Sequence, residues 1–137
     1  MGQSSNQASV DESQTLVVHT YQDQCKYEGF LKDRKRHHKW EDHGKMAKFT
    51  FKNGDVYEGE FENNMRHGRG KLTFEKDRSF LDGEWKNDKF VKGKFSQPTE
   101  YAEYSGAFQD GQFHGLGKLT VQTGNFQDVY EGQWVNG

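Results

Sequence analysis

Five short stretches of the chain place apolar residues on alternate positions around a central glycine. They are Tyr27-Glu28-Gly29-Phe30-Leu31, Tyr57-Glu58-Gly59-Glu60-Phe61, Leu81-Asp82-Gly83-Glu84-Trp85, Tyr104-Ser105-Gly106-Ala107-Phe108 and Tyr130-Glu131-Gly132-Gln133-Trp134. Period two puts Tyr57, Gly59 and Phe61 on one side of an extended segment and Glu58 and Glu60 on the other. That predicts a strand with unlike faces. The central glycines are 30, 24, 23 and 26 positions apart. Four of the stretches are followed by a second motif, clearest in His67-Gly68-Arg69-Gly70-Lys71-Leu72 and His114-Gly115-Leu116-Gly117-Lys118-Leu119. Weaker copies are Gly44-Lys45-Met46 and Gly93-Lys94-Phe95. Between the two motifs, segments such as Glu62–His67 hold Asn, Gly and charge, which suit a hairpin loop.

Each repeat therefore reads as a β-hairpin, and consecutive hairpins read as a meander in which neighbours supply the stability that one hairpin lacks. Setting Gly59 opposite Gly70 places Tyr57 against Leu72, Glu58 against Lys71 and Glu60 against Arg69. The same rule sets Leu81 against Phe95, Asp82 against Lys94, Glu84 against Lys92, Tyr104 against Leu119 and Ser105 against Lys118. In the first repeat it gives Tyr27 with Met46 and Glu28 with Lys45. One face then carries apolar pairs, while the other carries acid–base pairs worth roughly 0.2–1 kcal/mol each. The glycines permit two readings: rings lie over bare backbone, or a shallow groove admits a partner closely.

Composition narrows the architecture. Only 31% of residues are hydrophobic and Ile is absent, yet aromatics make up 15% and Gly numbers 16. A thick aliphatic core is out of reach, so burial must come from rings in a thin sheet. A formal charge of −2 gives no global attraction to nucleic acid or to an anionic bilayer, and no nucleic acid is expected as a partner. Cys25 is the sole cysteine, which excludes an intrachain disulfide and points to a reducing compartment. No run approaches the roughly 18 apolar residues of a membrane span.

Residues 1–24 are expected to be a polar tail, disordered or ordered by a partner, and residues 25–137 the repeat sheet. Within the tail, Thr15-Leu16-Val17-Val18 would add an edge strand or dock on a partner. The start Met1-Gly2 invites N-acylation, but Asn6 stands where that motif needs Ser or Thr.

The pattern Tyr-x-Gly-x-Trp/Phe followed by His-Gly-x-Gly resembles the MORN repeat over about residues 25–137, as four and a half repeats. The first repeat departs from it, with Gly44 lying 15 positions after Gly29 against 10 or 11 elsewhere. The third has Phe90-Val91 in place of His-Gly, and the fifth stops after its first half. The resemblance implies an all-β fold, a single-layer twisted antiparallel meander of about nine strands. It also implies a non-catalytic binding module. MORN modules occur in membrane-apposition proteins, lipid-kinase regulatory regions, beside a methyltransferase domain and in ciliary radial-spoke heads, so the fold alone leaves the function open.

The residues point the same way. No nucleophile elbow, phosphate loop or metalloprotease motif is present, so no catalytic, metal or cofactor site is assigned. His67 and His114 recur at one repeat position and read as turn or packing residues. His37, His38 and His43 read as solvated loop residues. The candidate partner face comprises Tyr27, Gly29, Tyr57, Gly59, Phe61, Gly70, Leu72, Leu81, Gly83, Trp85, Tyr104, Gly106, Phe108, Gly117, Leu119, Tyr130, Gly132 and Trp134. A second candidate is the basic loop 32–39, where Lys32, Arg34, Lys35, Arg36 and Lys39 would meet an anionic lipid headgroup or an acidic protein surface. The expected role is a cytoplasmic scaffold or adaptor subunit, with the cytoskeleton or ciliary axoneme implied by the resemblance. Another chain or a second copy would cover residues 129–135 by β-augmentation. The rivals are a peripheral module that binds phosphoinositides through the basic loop, and a repeat module clipped from a longer parent.

Overall fold

The structure is a computed structural model in which residue 11 and residues 15–137 are described. The acylation reading at Gly2 and most of the polar tail lie outside the described residues. Among the described residues ten strands build one open antiparallel sheet, one more than the repeat count suggested. They are β1 (Val17–Thr20), β2 (Lys26–Gly29), β5 (Ala47–Thr50), β6 (Val56–Glu62) and β7 (Met65–Thr73). The sheet continues with β8 (Phe80–Lys86), β9 (Lys89–Gln97), β10 (Ala102–Gln109), β11 (Gln112–Thr123) and β12 (Phe126–Trp134). Each pairs with its neighbour in the chain. The one insertion lies between β2 and β5 and holds a small hairpin, β3 (Leu31–Lys32) with β4 (Lys35–Arg36), then one helical turn, α1 (Trp40–His43). The sheet starts ahead of the boundary drawn at residue 25, since Val17 pairs with Gly29 and Thr20 with Lys26.

Sequence makes the turns tighter than the expected loops. Asp33-Arg34, Asn63-Asn64, Asn87-Asp88 and Asp110-Gly111 all have positive φ at both positions. This is the type I′ geometry that matches strand twist and that Asn, Asp and Gly tolerate best. The register runs through the glycines as proposed in repeats two to four. Gly59 faces Gly70, Gly83 faces Gly93 and Gly106 faces Gly117, with Tyr57–Leu72, Leu81–Phe95, Glu84–Lys92 and Tyr104–Leu119 in step. Between repeats, Gly70 also faces Gly83, Gly93 faces Gly106 and Gly117 faces Gly132, so one row of glycines crosses seven strands.

Two register expectations fail. In the first repeat Tyr27 faces Phe49 and Glu28 faces Lys48, three positions beyond Met46 and Lys45. Gly44 is a helix-terminating residue at φ +68, its N–H donating to the Trp40 carbonyl at 2.7 Å, so it cannot seed the return strand. In the second repeat the ladder breaks after Gly59 at a bulge, and Glu60 does not face Arg69. Its carboxylate instead accepts the Arg69 backbone N–H at 2.8 Å and the Trp40 N–H at 2.9 Å. The Arg69 position is in register with Glu84.

The core is a line of rings on one face of the sheet. From Tyr27 it passes through Phe61, Tyr57, Trp85, Phe90, Phe108 and Tyr104 to Trp134. Centroid separations run from 5.0 to 5.8 Å with steeply inclined planes, the edge-to-face arrangement that aromatic quadrupoles favour. The line crosses the strands, so it ties each repeat to the next. Rings thus replace the missing aliphatic layer.

Candidate protein-interaction surface

The repeating unit explains most of the candidate face. The hydroxyl of Tyr57 donates to the Glu60 carbonyl at 2.8 Å, that of Tyr27 to Phe30 at 2.6 Å and that of Tyr104 to Ala107 at 2.9 Å. To reach three residues ahead, each ring lies flat along its own strand over the glycine two positions on. A side chain at Gly59 or Gly70 would strike the Tyr57 ring, and one at Gly106 or Gly117 would strike Tyr104. The rings therefore cover the bare backbone. Burial holds the phenols of Tyr27 and Tyr57 well above the ordinary tyrosine range, which keeps them protonated as donors. The indoles repeat a second bond, with Trp85 Nε1 donating to the Gly70 carbonyl and Trp134 Nε1 to Gly117, both at 2.9 Å.

Many candidate partner-face residues are therefore the sheet's own core: Tyr27, Tyr57 and Tyr104 are fully buried, and Phe61, Leu72 and Trp85 nearly so. Two apolar surfaces stand out among the described residues. One is a groove of about 490 Å³ over Leu72, Leu81, Trp85, Phe90, Phe95, Phe108 and Phe113, bounded at the turn end by Arg66, Asp88, Lys89 and Asp110. Leu81 stands there in a row otherwise led by Tyr27, Tyr57, Tyr104 and Tyr130, and it is too short to fill a ring's place. The other is β12, an edge strand on which Tyr130 is 53% exposed and Phe126 77%.

Phe90, Phe95 and Phe113 were missed as groove residues, although a signal was present. The position two after each turn, held by Arg36, Arg66, Phe90 and Phe113, leans on the ring of the following repeat. Arg36 lies 5.5 Å from the Phe61 centroid and Arg66 4.6 Å from Trp85, while Phe90 meets Phe108 at 5.0 Å and Phe113 meets Trp134 at 5.5 Å. Both arginines also reach the next turn. Arg36 Nη2 donates to the Asn64 carbonyl, and Arg66 to the Asp88 carbonyl, at 2.8 Å each.

The basic loop divides in the structure. Arg36 is committed to Tyr21, Phe49 and Asn64, and Lys39 pairs with Glu62 at 3.5 Å. Lys32, Arg34 and Lys35 are exposed, with Lys32 and Lys35 directly opposite each other. His38 overturns the solvated-loop expectation. It is fully buried, accepts the Phe30 N–H at Nδ1 (3.3 Å) and donates from Nε2 to the Lys45 carbonyl (2.8 Å). His43 stacks on Phe30 at 3.7 Å. These histidines pin the insertion to the sheet. Among the described residues no group of His, Cys, Asp and Glu could hold a metal, and no helix is long and apolar enough to cross a membrane.

Comparison with known proteins agrees with this anatomy. The family model described as MORN repeat matches residues 57–76, 82–99, 104–126 and 130–137, together half of the chain. It leaves out the first hairpin, the one with the insertion. MORN repeat-containing protein 3 of Xenopus laevis is 34% identical over 84 residues, covering 61% of this chain and 27% of that protein. The chain thus matches only about a quarter of that relative's length. Hairpin register, tyrosine–glycine units and family match converge: the chain belongs to the MORN repeat family, whose members are generally non-catalytic and commonly mediate protein or membrane interactions.

Proposed function

We propose that this chain is a non-catalytic scaffold or adaptor subunit of a larger protein assembly, held there through its aromatic groove. The observation that carries the reading is the groove itself: Leu81 stands where the equivalent positions hold tyrosine, and an apolar surface over Leu72, Leu81, Phe95 and Phe113 is left that the sheet's own rings do not fill. An apolar patch rimmed by polar residues, here Arg66, Asp88, Lys89 and Asp110, marks a surface that a protein partner covers. The cytoskeleton or ciliary axoneme is the setting proposed from the character of the family.

Size fractionation of a gentle native lysate tests the reading. The chain is expected in a large, detergent-insensitive particle and to leave it when Leu81→Asp and Phe95→Asp disrupt the groove. Migration as a small species, or flotation with membranes until salt is added, would overturn it.

A second reading is favoured by one feature, the facing pair Lys32 and Lys35. Like charges opposite each other are unfavourable, and an anionic headgroup would relieve them. This peripheral-membrane role predicts that vesicles containing phosphoinositide sediment the chain in low salt and lose it with Lys32→Glu and Lys35→Glu. Arg36 is unsuitable for that test because its loss would loosen the fold.

A further inference from the structure

Residues 37–46, the part of the insertion that carries α1, lie against the sheet rather than within its ladder. The stretch is anchored at both ends. Before it, Arg36 is tied to Asn64 by its backbone N–H and by its guanidinium, at 2.8 Å each. After it, Ala47 is fully buried and opens β5. Between these anchors the contacts converge on His38. Its backbone forms an isolated bridge with Phe61, N–H to carbonyl at 2.9 Å in one direction and 3.0 Å in the other. Its ring lies between the Phe30 N–H and the Lys45 carbonyl. His43 stacks on Phe30, while the Trp40 N–H reaches Glu60 and the Lys39 ammonium reaches Glu62.

The ring of His38 suits this arrangement in one protonation state. Nδ1 faces a donor and must present its lone pair, whereas Nε2 faces a carbonyl and must carry the hydrogen. A second proton could go only to Nδ1, where two donors would then meet across 3.3 Å. The Phe30 N–H would lose its acceptor, and a cation would sit where water does not reach. The charges that face the ring do not rescue it. His43, its ring 4.8 Å away, and Lys45 both oppose a positive charge. Glu60 favours one, but its carboxylate already accepts the N–H groups of Trp40 and Arg69. Glu62 is paired with Lys39 and His67. The way out for a protonated ring is to swing into water with its segment. That gives up the Phe61 bridge and the stack on Phe30, yet it leaves β5 paired with both β2 and β6.

We infer that residues 37–46 form a pH-operated latch: mild acid, by placing a proton on Nδ1 of His38, releases them while the ten-strand sheet stays paired. Release uncovers the Phe30 ring, 8% exposed when the latch is closed, and frees the N–H and carbonyl of Phe61 that His38 occupies. It also lets Trp40, already half exposed, leave its bond to Glu60. The first hairpin thereby changes surface, and the repeats after it keep theirs.

The test is residue-resolved amide exchange of the isotope-labelled full chain between about pH 7.5 and about pH 5, corrected for the intrinsic pH dependence of exchange. The N–H groups of Phe30, His38 and Phe61 are expected to lose protection by up to about tenfold per pH unit, the linkage of one proton to one opening. Their exchange should ignore low urea, the mark of a local opening, whereas amides of β7 to β11 stay protected and respond to it. His38→Gln should remove the pH dependence at these three amides, and His37→Gln should leave it in place. A readout on the parent chain covers the case in which His38→Gln does not fold. Imidazole nitrogen shifts should show His38 as the Nε2–H tautomer at neutral pH, protonating over the range in which protection falls. An Nδ1–H tautomer at neutral pH would overturn the inference. So would protection that holds down to about pH 5, a response that survives His38→Gln or vanishes with His37→Gln, or exchange of the three amides in step with β7 to β11.

Discussion

At the scale of single residues, the fold rests on polar atoms aimed inward from rings. The tyrosine hydroxyls and indole nitrogens satisfy carbonyls that the bulged strands would otherwise leave bare, and His38 does the same for the insertion. His38 also makes stability depend on pH. Burial, more than anything else, lowers its pKa from the ordinary 6.5, and the nearby His43 and Lys45 lower it further, against the opposing pull of the Lys45 carbonyl and Glu60. His37 is lowered as well, again chiefly by desolvation. Both rings are then neutral in the folded chain and titrate near 6.5 in the unfolded one. Their contribution is full above that pH and is lost as pH falls from about 6.5 toward the folded values. Urea unfolding is expected to show stability dropping as pH falls below about 6.5, by at most about 1.4 kcal/mol per pH unit for each proton. His38→Gln, which keeps an amide donor and acceptor but cannot titrate, should flatten this slope. Parallel slopes in the two proteins would remove His38 from the account.

At the scale of the element, the hairpin is held by what stands two residues after its turn. Arg66 shows both parts of that job. Its guanidinium lies over Trp85, while its Nε and backbone N–H bond Asp88 at 3.1 and 2.8 Å. The ion pair is partly exposed, so it contributes no more than about 1 kcal/mol, and the stacking contributes roughly as much again. Since phenylalanine fills this position at 90 and 113, Arg66→Phe should cost less than Arg66→Ala in a denaturation series. Asp88→Ala should cost less than Arg66→Ala for the same reason, and the opposite ranking would mean that the ion pair dominates. Such positions were hard to read from sequence because arginine and phenylalanine share no obvious class, and only the observed turns align them. The glycine register was legible because Gly59 and Gly70, or Gly83 and Gly93, exclude any side chain between them. It failed in the first repeat because Gly44, a helix cap, looks like a strand glycine until α1 is seen. Strand β1 was hard to place because four residues with a single partner carry little pattern of their own.

At the scale of the whole molecule, a sheet one layer thick has no centre, and cooperativity must travel along it. The ladder bonds link neighbouring strands only, as in any repeat array. What joins distant repeats is the line of rings, and Trp85 is its crossing point between Tyr57 and Phe90. It is 4% exposed, donates to the Gly70 carbonyl and supports Arg66 from below. Trp85→Ala should cost about 3–5 kcal/mol, the usual penalty for deleting a large buried ring. More diagnostic is how the chain then unfolds. With the line cut, strands β1 to β7 and strands β9 to β12 each keep rings of their own, the first around Tyr27, Tyr57 and Phe61 and the second around Tyr104, Phe108 and Trp134. Amide exchange across a urea series should resolve two protected blocks in the variant where the parent chain gives one, with β8 exchanging first. A variant that still unfolds in one step with uniform protection would show that strand pairing alone carries the coupling. The rings would then serve only to bury area, and a break in their line would matter no more than a break anywhere else in the core.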